Sequence, residues 1–372
     1  MSKKIAFITT VNHNVGDDFV REGLKWLFRE YFQSDKLKFT SIHKHVPATS
    51  YYGLENLRNL VWSERVEKYL PVISRIDRVM QSDILVQSGA PVFWYHPGYS
   101  DCVSGNEWYF PLIHRRFLKK RGGVLANIAA GTCQKYYSDG SEFLESDHIK
   151  NFIKEFHELS QVTTLRDSLS GSVHTKLGLD APVIPCSSIF AINEHKVEQK
   201  PGEYVVVNYM HGGAHYNFGQ DIDFEGWFNH FQKFYFELKK KEKHVIFSCH
   251  NLKEKEDAQK IDPNGEFFFS SRFEDYLKFY AKAKYGVMNR VHAGFILASL
   301  GKPAVIIGND SRARMAEQIH VEDYFVNDVD SEVLLKEAER LDSERGEWLH
   351  KIQVIKSNSY ERYMEAFSKF ER

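Results

Sequence analysis

The side chains best suited to chemistry are Arg290 and His292, which stand two residues apart between two apolar segments. The run 285–288 is typical of a buried strand, and 293–300 is apolar nearly all round, which predicts a buried helix. The first turn of a helix presents unpaired N–H groups and a partial positive charge. A guanidinium and an imidazole at that point predict an anion site, because Arg offers a planar fork that fits a carboxylate or phosphate. The alternative is that Arg290 merely pairs with a surface acid and that His292 fills a cap.

Polar residues follow other predicted strands as well, and the strand ends of open α/β sheets are where ligands bind. Arg166 follows the strand predicted at 162–165, where it serves either a ligand or a neighbouring acid such as Asp167. The second half adds polar residues at its own strand ends: Asn208, His211, His250, Arg312 and Arg314. The two arginines among them are predicted as further anion contacts.

The turn after the first predicted strand has the sequence NHNVGDD, with Asn14 at its centre and two carboxylates, Asp17 and Asp18, at its end. Gly16 suits a tight turn, and either aspartate suits a cap of the following helix. Equally, one aspartate can hold or deprotonate a substrate hydroxyl. The sequence supports both interpretations.

Small residues and aromatic rings follow the strand predicted at 83–87. Ser88 and Gly89 let the backbone approach a ligand closely, and Trp94 belongs to a long aromatic-rich connection. Aromatic rings stack on the apolar faces of sugars, and they also pack cores, so part of this set is expected in each role. The connection is therefore a candidate acceptor surface.

A metal or cofactor site is not predicted. His211 and His215 are four residues apart, a spacing that brings histidines together only on a helix, and two intervening glycines argue against a helix. No HExxH, GxSxG, GxxxxGK[ST] or GxGxxG motif occurs. This argues against a metalloprotease, an α/β-hydrolase, a P-loop NTPase and a standard dehydrogenase.

Length, charge and cysteine usage narrow the class of protein. The chain has 372 residues and a net charge of -1, so no global field favours nucleic acid or an anionic membrane. Its four cysteines are scattered without a CxxC pair, which is typical of reduced thiols in a cytoplasmic protein. We find neither a signal peptide nor a run of roughly 20 apolar residues. We predict a cytoplasmic protein, with no nucleic-acid partner and at most peripheral membrane association.

Strands alternate with helices through both halves, which predicts an α/β protein with parallel sheets and helices on both faces. The polar segment 191–203 marks a boundary between domains at 1–192 and 203–372. From residue 331 we predict two helices that pack back toward the first domain, and charge runs such as 253–257 suit solvated helix faces. Strands are predicted at 5–10, 37–42, 83–87, 124–128, 162–165, 182–184, 204–209, 244–248, 267–269, 285–288 and 304–307.

Four segments, taken in order, resemble the polysaccharide pyruvyl transferase family. They are an N-x-G-D turn at 14–17, a D-x-L-x-x-S-G segment at 83–89, an R-D-x-x-S turn at 166–170 and the block NRVHAGFILASLGKP at 289–303. The resemblance implies two Rossmann-like domains facing a cleft, in the manner of GT-B glycosyltransferases. It also implies transfer of pyruvate from phosphoenolpyruvate onto a carbohydrate acceptor (free, lipid-linked or polymeric) as a cyclic ketal, in the synthesis of a surface polysaccharide.

The resemblance implies that Arg290 and His292 serve the donor, with Arg166 as a further candidate. We hypothesise that Arg290 holds one anion of phosphoenolpyruvate and that Arg166 or Arg312 holds the other. His292 acts either as the acid or as an assistant to the departing phosphate. Asp17 is the predicted base on the acceptor side. Two further donor-side candidates are Asn208 and His250. The acceptor-side candidates are Asn14, Gly16, Asp18, Ser88, Gly89, Trp94 and His211.

The alternative is a GT-B-type glycosyltransferase that uses a nucleotide sugar. Such enzymes usually carry an acid on the second-domain helix for the ribose hydroxyls, and the helix predicted at 293–300 contains none. A carbohydrate-binding protein without activity is a second alternative, because fold alone does not determine function.

Overall fold

The computed structural model describes residues 3–10, 14–43, 76–88, 91–96, 117–118 and 123–370. The chain forms two compact units, and the prediction of two parallel-sheet α/β domains is confirmed. The first unit consists of Met1–Thr132, Asp139–Ile184 and Glu361–Arg372, and the second of Cys133–Ser138 and Pro185–Tyr360.

The strands are β1 (Lys4–Thr9), β2 (Lys38–His43), β3 (Ile84–Ser88), β4 (Pro91–Phe93), β5 (Val124–Thr132), β6 (Val162–Leu165), β7 (Tyr204–Val207), β8 (Val245–Ser248), β9 (Glu266–Phe268), β10 (Ala283–Met288), β11 (Ala304–Gly308) and β12 (Glu322–Phe325). The α-helices are α1 (Val15–Phe32), α2 (Ile76–Met80), α3 (Asp147–Leu159), α4 (Ser168–Lys176), α5 (Ala191–Glu194), α6 (Phe224–Lys241), α7 (Leu252–Ile261), α8 (Phe273–Tyr280), α9 (Val291–Ser299) and α10 (Ser331–Phe367).

The sheet of the first unit has the order β2-β1-β3-β5-β4, with β6 also paired to β5, and each of these pairings is parallel. Its central strands are buried almost throughout, as apolar strands covered on both faces must be. The end of the chain completes this unit: the Phe367 ring stacks on Phe28 with centroids 5.0 Å apart, and the Tyr31 hydroxyl donates to the Phe370 carbonyl at 2.9 Å.

The sheet of the second unit has the order β12-β11-β10-β7-β8-β9, again with parallel pairings. Helix α9 is buried against it, and Gly294 permits their close approach, because a Cβ there would lie 2.3 Å from Cδ1 of Ile306. The carboxyl ends of β7, β8 and β10 therefore meet at one edge of the sheet, beside the start of α9.

Two predictions about elements are wrong, and two strands are missed. The run 182–184, predicted as a strand, forms only one isolated β-bridge, between Leu165 and Val183. The tail from Ser331 is one helix, α10, since no proline interrupts it and a lone Gly346 costs only about 1 kcal/mol. Strands β4 and β12 are missed, as their short sequences PVF and EDYF lack a sustained apolar pattern. No helix within the described ranges is long and apolar enough to cross a membrane.

Candidate active site

The turn between β10 and α9 is held in place by Asn289. Its side-chain oxygen accepts from the Met210 N–H at 2.8 Å, and its side-chain nitrogen donates to the Ile307 carbonyl at 2.7 Å. The next residue, Arg290, is the N-cap of α9 with an extended backbone. Asn289 thus fixes the start of α9 to the ends of its neighbouring strands.

The Arg290 guanidinium contacts a carboxylate that the sequence analysis missed. Glu254 Oε1 accepts from Arg290 Nε at 2.9 Å and also from Nη2, and the two side chains are only 5% and 13% exposed. Nη1 has no partner within the described residues. Burial alone would raise the pKa of Glu254, but the charge of Arg290, aided by hydrogen bonds, holds that pKa below its usual range. The pair is therefore ionised, with part of the Arg290 fork still available.

Glu254 was missed because it lies in the charge run 253–257, which was predicted as a solvated helix face; Glu254 itself is 4% exposed. The signal that was present is N-x-x-E at 251–254, a helix-start signature. Asn251 does cap α7, accepting from the Glu254 N–H at 2.9 Å and donating to Oε1 at 2.8 Å. That local motif places Glu254 at the start of α7 but does not reveal its distant partner.

Asn208, predicted to bind the donor, is instead engaged inside the protein. Its oxygen accepts from the Arg290 backbone N–H at 2.8 Å, while its nitrogen donates to the Ser248 carbonyl at 2.8 Å and to Glu254 Oε2 at 3.1 Å. Asn208 thereby links the ends of β7, β8 and β10. In this geometry it positions Arg290.

His250, also predicted on the donor side, is buried next to the same carboxylate. Its backbone N–H donates to Glu254 Oε2 at 2.9 Å, and its Nε2 lies 2.8 Å from the Tyr280 hydroxyl. Burial lowers the pKa of His250 to about 3; Glu254 opposes this shift and Arg290 reinforces it. The imidazole is therefore neutral at pH 7 and supplies no positive charge to an anion.

His292 lies in the first turn of α9 and remains partly exposed. Its Nε2 is 3.6 Å from the sulfur of Cys186, a buried residue directly before the short 3-10 helix Ser187–Phe190. The sequence analysis did not anticipate this contact, since 106 residues separate the two side chains. Arg290, as the N-cap, and His292, two residues further along, thus both lie at the start of α9, as predicted.

The two other arginines predicted as anion contacts in the second unit have partners within it. Arg312 makes a two-pronged ion pair with Asp310, with Nε to Oδ1 at 2.9 Å and Nη2 to Oδ2 at 2.6 Å. Arg314 donates to the carbonyls of Tyr136 and Ser138 at 3.4 and 3.3 Å. The charge of Arg312 is thus compensated by Asp310, as that of Arg290 is by Glu254.

His211 lies in an exposed loop, where its ring stacks on Phe224 with centroids 4.9 Å apart. It is 4 residues from His215, but the loop is not helical. In the portion of the chain that is described, no three His, Cys, Asp or Glu side chains are grouped in a way that would hold a metal ion.

In the first unit, Asn14 rather than an aspartate caps α1, accepting from the Gly16 N–H at 3.1 Å. The helix begins at Val15, so Gly16 is helical rather than a turn residue, and both aspartates lie in the first turn, where negative charge is favoured. Asp18 accepts from Arg21 at 2.6 Å and both are buried. Asp17 is also buried, at 3% exposure.

Asp18 gives a testable pH dependence. Burial raises its pKa from 3.8 to about 6, outweighing the nearby Arg21. The folded form keeps this proton at pH values where the unfolded chain has already lost it. The free energy of unfolding therefore falls by about 3 kcal/mol as pH rises from about 4 to about 6, and Asp18 causes no further change above that pH. Asp18→Asn should flatten this slope in urea unfolding measured across pH. Asp35→Asn, on an exposed carboxyl, is the control, and an unchanged slope in Asp18→Asn would contradict the assignment.

Arg166 follows β6 and is fully buried beside Gly131. A Cβ on Gly131 would lie 2.5 Å from both Arg166 Nε and Asp167 Oδ2, which explains the small-residue sequence at the end of β5. Asp167 caps α4 by accepting from the Ser170 N–H at 2.7 Å. It also accepts from the backbone N–H and the hydroxyl of Thr132, both at 3.0 Å. Asp167 is therefore the N-cap of α4.

The remaining acceptor-side candidates are Ser88, Gly89 and Trp94. Ser88 is the last residue of β3, and its buried hydroxyl has no hydrogen-bond partner among the described residues. Trp94 follows β4 and is partly exposed. Gly89 lies outside the described residues, as does most of the aromatic connection after Trp94.

A family model described as polysaccharide pyruvyl transferase matches residues 14–311, which include every segment of the predicted resemblance. No curated protein sequence matches the chain significantly.

Solved structures resemble the whole chain at low sequence identity. A putative UDP-N-acetylglucosamine 2-epimerase from Listeria monocytogenes has a TM-score of 0.58 at 12% identity, covering 99% of this chain and 96% of that one. The UDP-GlcNAc 2-epimerase of Neisseria meningitidis, bound to UDP-GlcNAc, has a TM-score of 0.55 at 10% identity, with 99% and 100% covered. The Escherichia coli heptosyltransferase WaaC with ADP has a TM-score of 0.51 at 10% identity, with 91% and 99% covered. These likenesses show a GT-B-like fold.

Proposed function

Because the chain belongs to the polysaccharide pyruvyl transferase family, we propose that this transferase moves pyruvate from phosphoenolpyruvate onto sugar hydroxyls of a surface polysaccharide or its precursor, forming a cyclic ketal. The observation that carries the proposal is that Arg290 and His292 both lie at the start of α9. Phosphoenolpyruvate bears two anions on a three-carbon frame. A guanidinium, an imidazole and helix N–H groups form a site of matching chemistry.

Arg290 is the proposed anchor for one anion of the donor. Glu254 occupies Nε and Nη2, so the guanidinium is oriented before the donor arrives, and Nη1 is left to donate. Asn208 holds the backbone of the same residue. A preorganised donor of this kind loses little entropy on binding and stabilises the charge that develops as phosphate leaves.

His292 is the proposed acid. A proton passes from its imidazolium to the terminal methylene carbon, which becomes the methyl group and leaves cationic character on the adjacent carbon. One sugar hydroxyl attacks that carbon and loses its proton, the bond to phosphate oxygen breaks, and a second hydroxyl closes the ring. Asp17 takes the proton of the attacking hydroxyl, and this proton returns through solvent to His292, while the proton of the second hydroxyl leaves with phosphate. His292 must therefore donate and regain a proton near neutral pH.

Asp17 is the proposed base on the acceptor side, and Arg166 the proposed second anion contact. Both are buried residues at strand-to-helix turns of the first unit. Their roles rest on the match between their segments and the family's pattern, which the matched range contains.

The alternative is a glycosyltransferase that uses a nucleotide sugar, since the Neisseria epimerase and the heptosyltransferase of like fold bind UDP-GlcNAc and ADP. The first turn of α9 carries no acid for ribose hydroxyls, which argues against this donor. A thermal-shift panel tests the choice: phosphoenolpyruvate should raise the melting temperature at concentrations where UDP- and ADP-sugars do not. Stabilisation by a nucleotide sugar alone would favour the alternative.

Arg290→Lys tests the anchor. Lysine keeps a charge next to Glu254 but cannot donate to two partners in a fixed plane, so kcat/KM for phosphoenolpyruvate should fall about 10- to 100-fold, largely through KM. Arg272→Lys, on an exposed arginine of the same unit, is the matched control. A loss of melting temperature in Arg290→Lys without any change in KM would mean that Arg290 is only structural.

A further inference from the structure

A second cationic site lies in the second unit, away from Arg290. An open cavity of about 340 Å³ is lined by residues of the segment before β7, the start of β10, the turn before β11 and helix α10. Its charged lining residues are Lys200, Lys284, Lys302 and Arg345. The volume is within the range of small-ligand sites, about 300–1,000 Å³.

Lys302 is the unusual member of this set. The residue is only 5% exposed, and its ammonium donates to the Lys200 carbonyl at 2.6 Å. No carboxylate of the described residues forms an ion pair with it. Burial, reinforced by the charge of Arg345, lowers the pKa of Lys302. A buried ammonium without a counter-charge is costly, and an anion in the cavity would supply that charge.

The carboxylates near the cavity already form ion pairs with other charged residues of the lining. Lys284 pairs with Glu242 at 2.6 Å, and Arg345 pairs with Asp342 at 2.9 Å. Lys200 has no carboxylate partner within the described part of the chain, so the lining keeps two uncompensated positive charges, those of Lys200 and Lys302. Such a lining favours a multiply charged anion.

The cavity wall is ordered backbone. Lys200 N–H donates to the Ala281 carbonyl at 3.0 Å, and Glu203 N–H to the Lys282 carbonyl at 2.8 Å, which fix the segment against the start of β10. Gly202 permits this approach, because a Cβ there would lie 2.8 Å from Cγ of Lys284. The site is therefore built before any ligand binds.

The cavity lies at the opposite edge of the sheet from the donor site. Lys284 is at the start of β10, whereas Arg290 follows its last residue, Met288. Four residues of strand separate Lys284 from Met288, about 13 Å at 3.3 Å per residue. A ligand in this cavity would not occupy the site proposed for phosphoenolpyruvate.

We propose that this cavity binds a small phosphate-bearing anion, held mainly by Lys302 with Arg345 and Lys200. The lysine ammonium groups supply point charges and the guanidinium of Arg345 a planar fork, and both suit a phosphate group. Because binding is electrostatic, affinity should fall as ionic strength rises.

The test is the melting temperature with inorganic phosphate and pyrophosphate at constant ionic strength, with chloride as the reference salt. At ten times Kd, the wild type should gain about 3 °C. Lys302→Met should melt at the wild-type temperature or above without phosphate, since a buried charge is removed, and should bind about tenfold more weakly or worse. Lys240→Met, on an exposed lysine of α6, should behave as the wild type.

Two further variants keep the result interpretable. Arg345→Gln changes a side chain that is 43% exposed and should fold normally while weakening phosphate binding. Arg290→Lys, which keeps a positive charge beside Glu254, should retain the phosphate response, which separates this cavity from the donor site. The proposal would be overturned if phosphate did not raise the melting temperature of the wild type. It would also be overturned if phosphate raised the melting temperatures of Lys302→Met and Arg345→Gln by as much as that of the wild type.

Discussion

His292→Gln is expected to lower the rate of pyruvyl transfer by about 10²–10⁴-fold, the usual contribution of one positioned acid–base group. Glutamine keeps a polar side chain of similar reach but cannot protonate carbon. Since His292 is partly exposed at the start of α9, the folded state should be little affected. The loss should appear in kcat, while the affinity for phosphoenolpyruvate, which depends on Arg290, changes less.

The control is His244→Gln, on an exposed histidine that pairs with Glu266 at 3.0 Å in the same unit. Steady-state phosphate release gives kcat and KM for both variants, and far-ultraviolet circular dichroism checks their fold. Near-normal turnover in His292→Gln would remove His292 from the chemistry and leave Cys186 as the partner of a merely structural imidazole.

Glu254→Gln is expected to destabilise the protein by about 3–5 kcal/mol, because it removes one partner of a buried ion pair and leaves Arg290 without its counter-charge. The substitution also removes the charge from the side-chain group that accepts hydrogen bonds from the Asn208 amide and the His250 N–H. Guanidinium chloride unfolding measures the effect. Glu237→Gln, in the exposed pair with Lys240, should change stability by about 1 kcal/mol or less.

The same variant separates binding from folding. If Arg290 holds the donor, the anions of phosphoenolpyruvate replace the lost carboxylate, so the donor should stabilise Glu254→Gln more than the wild type. Equal stabilisation of both proteins, or a Glu254→Gln protein as stable as the wild type, would contradict this account of the pair.

The elements that the sequence predicted well are those with a strong local pattern. Apolar runs bounded by turn residues placed β1 and β10 within two residues, and the apolar helix after His292 placed α9 equally well. The placement of Arg290 at a helix start follows from the same local pattern. Chain-local patterns cannot reveal β12, whose EDYF sequence becomes a strand only because it pairs with β11.

The contacts that define the candidate site were beyond sequence reasoning for a different reason. Glu254 and Arg290 are 36 residues apart, and Cys186 and His292 are 106 apart. Only the folded sheet brings them together, and a glutamate in a charged helix is usually solvated. In the first unit the correct cap, Asn14, was available by residue type, but the two acids after Gly16 were equally good candidates.

Carbon-labelled phosphoenolpyruvate, incubated with the enzyme and a panel of free, lipid-linked and polymeric hexoses, tests the central claim most directly. The account predicts that label enters one class of glycan with release of one phosphate for each pyruvate, and that His292→Gln does neither. Labelled glycan formed only from a nucleotide sugar, with phosphoenolpyruvate left intact across the panel, would contradict it.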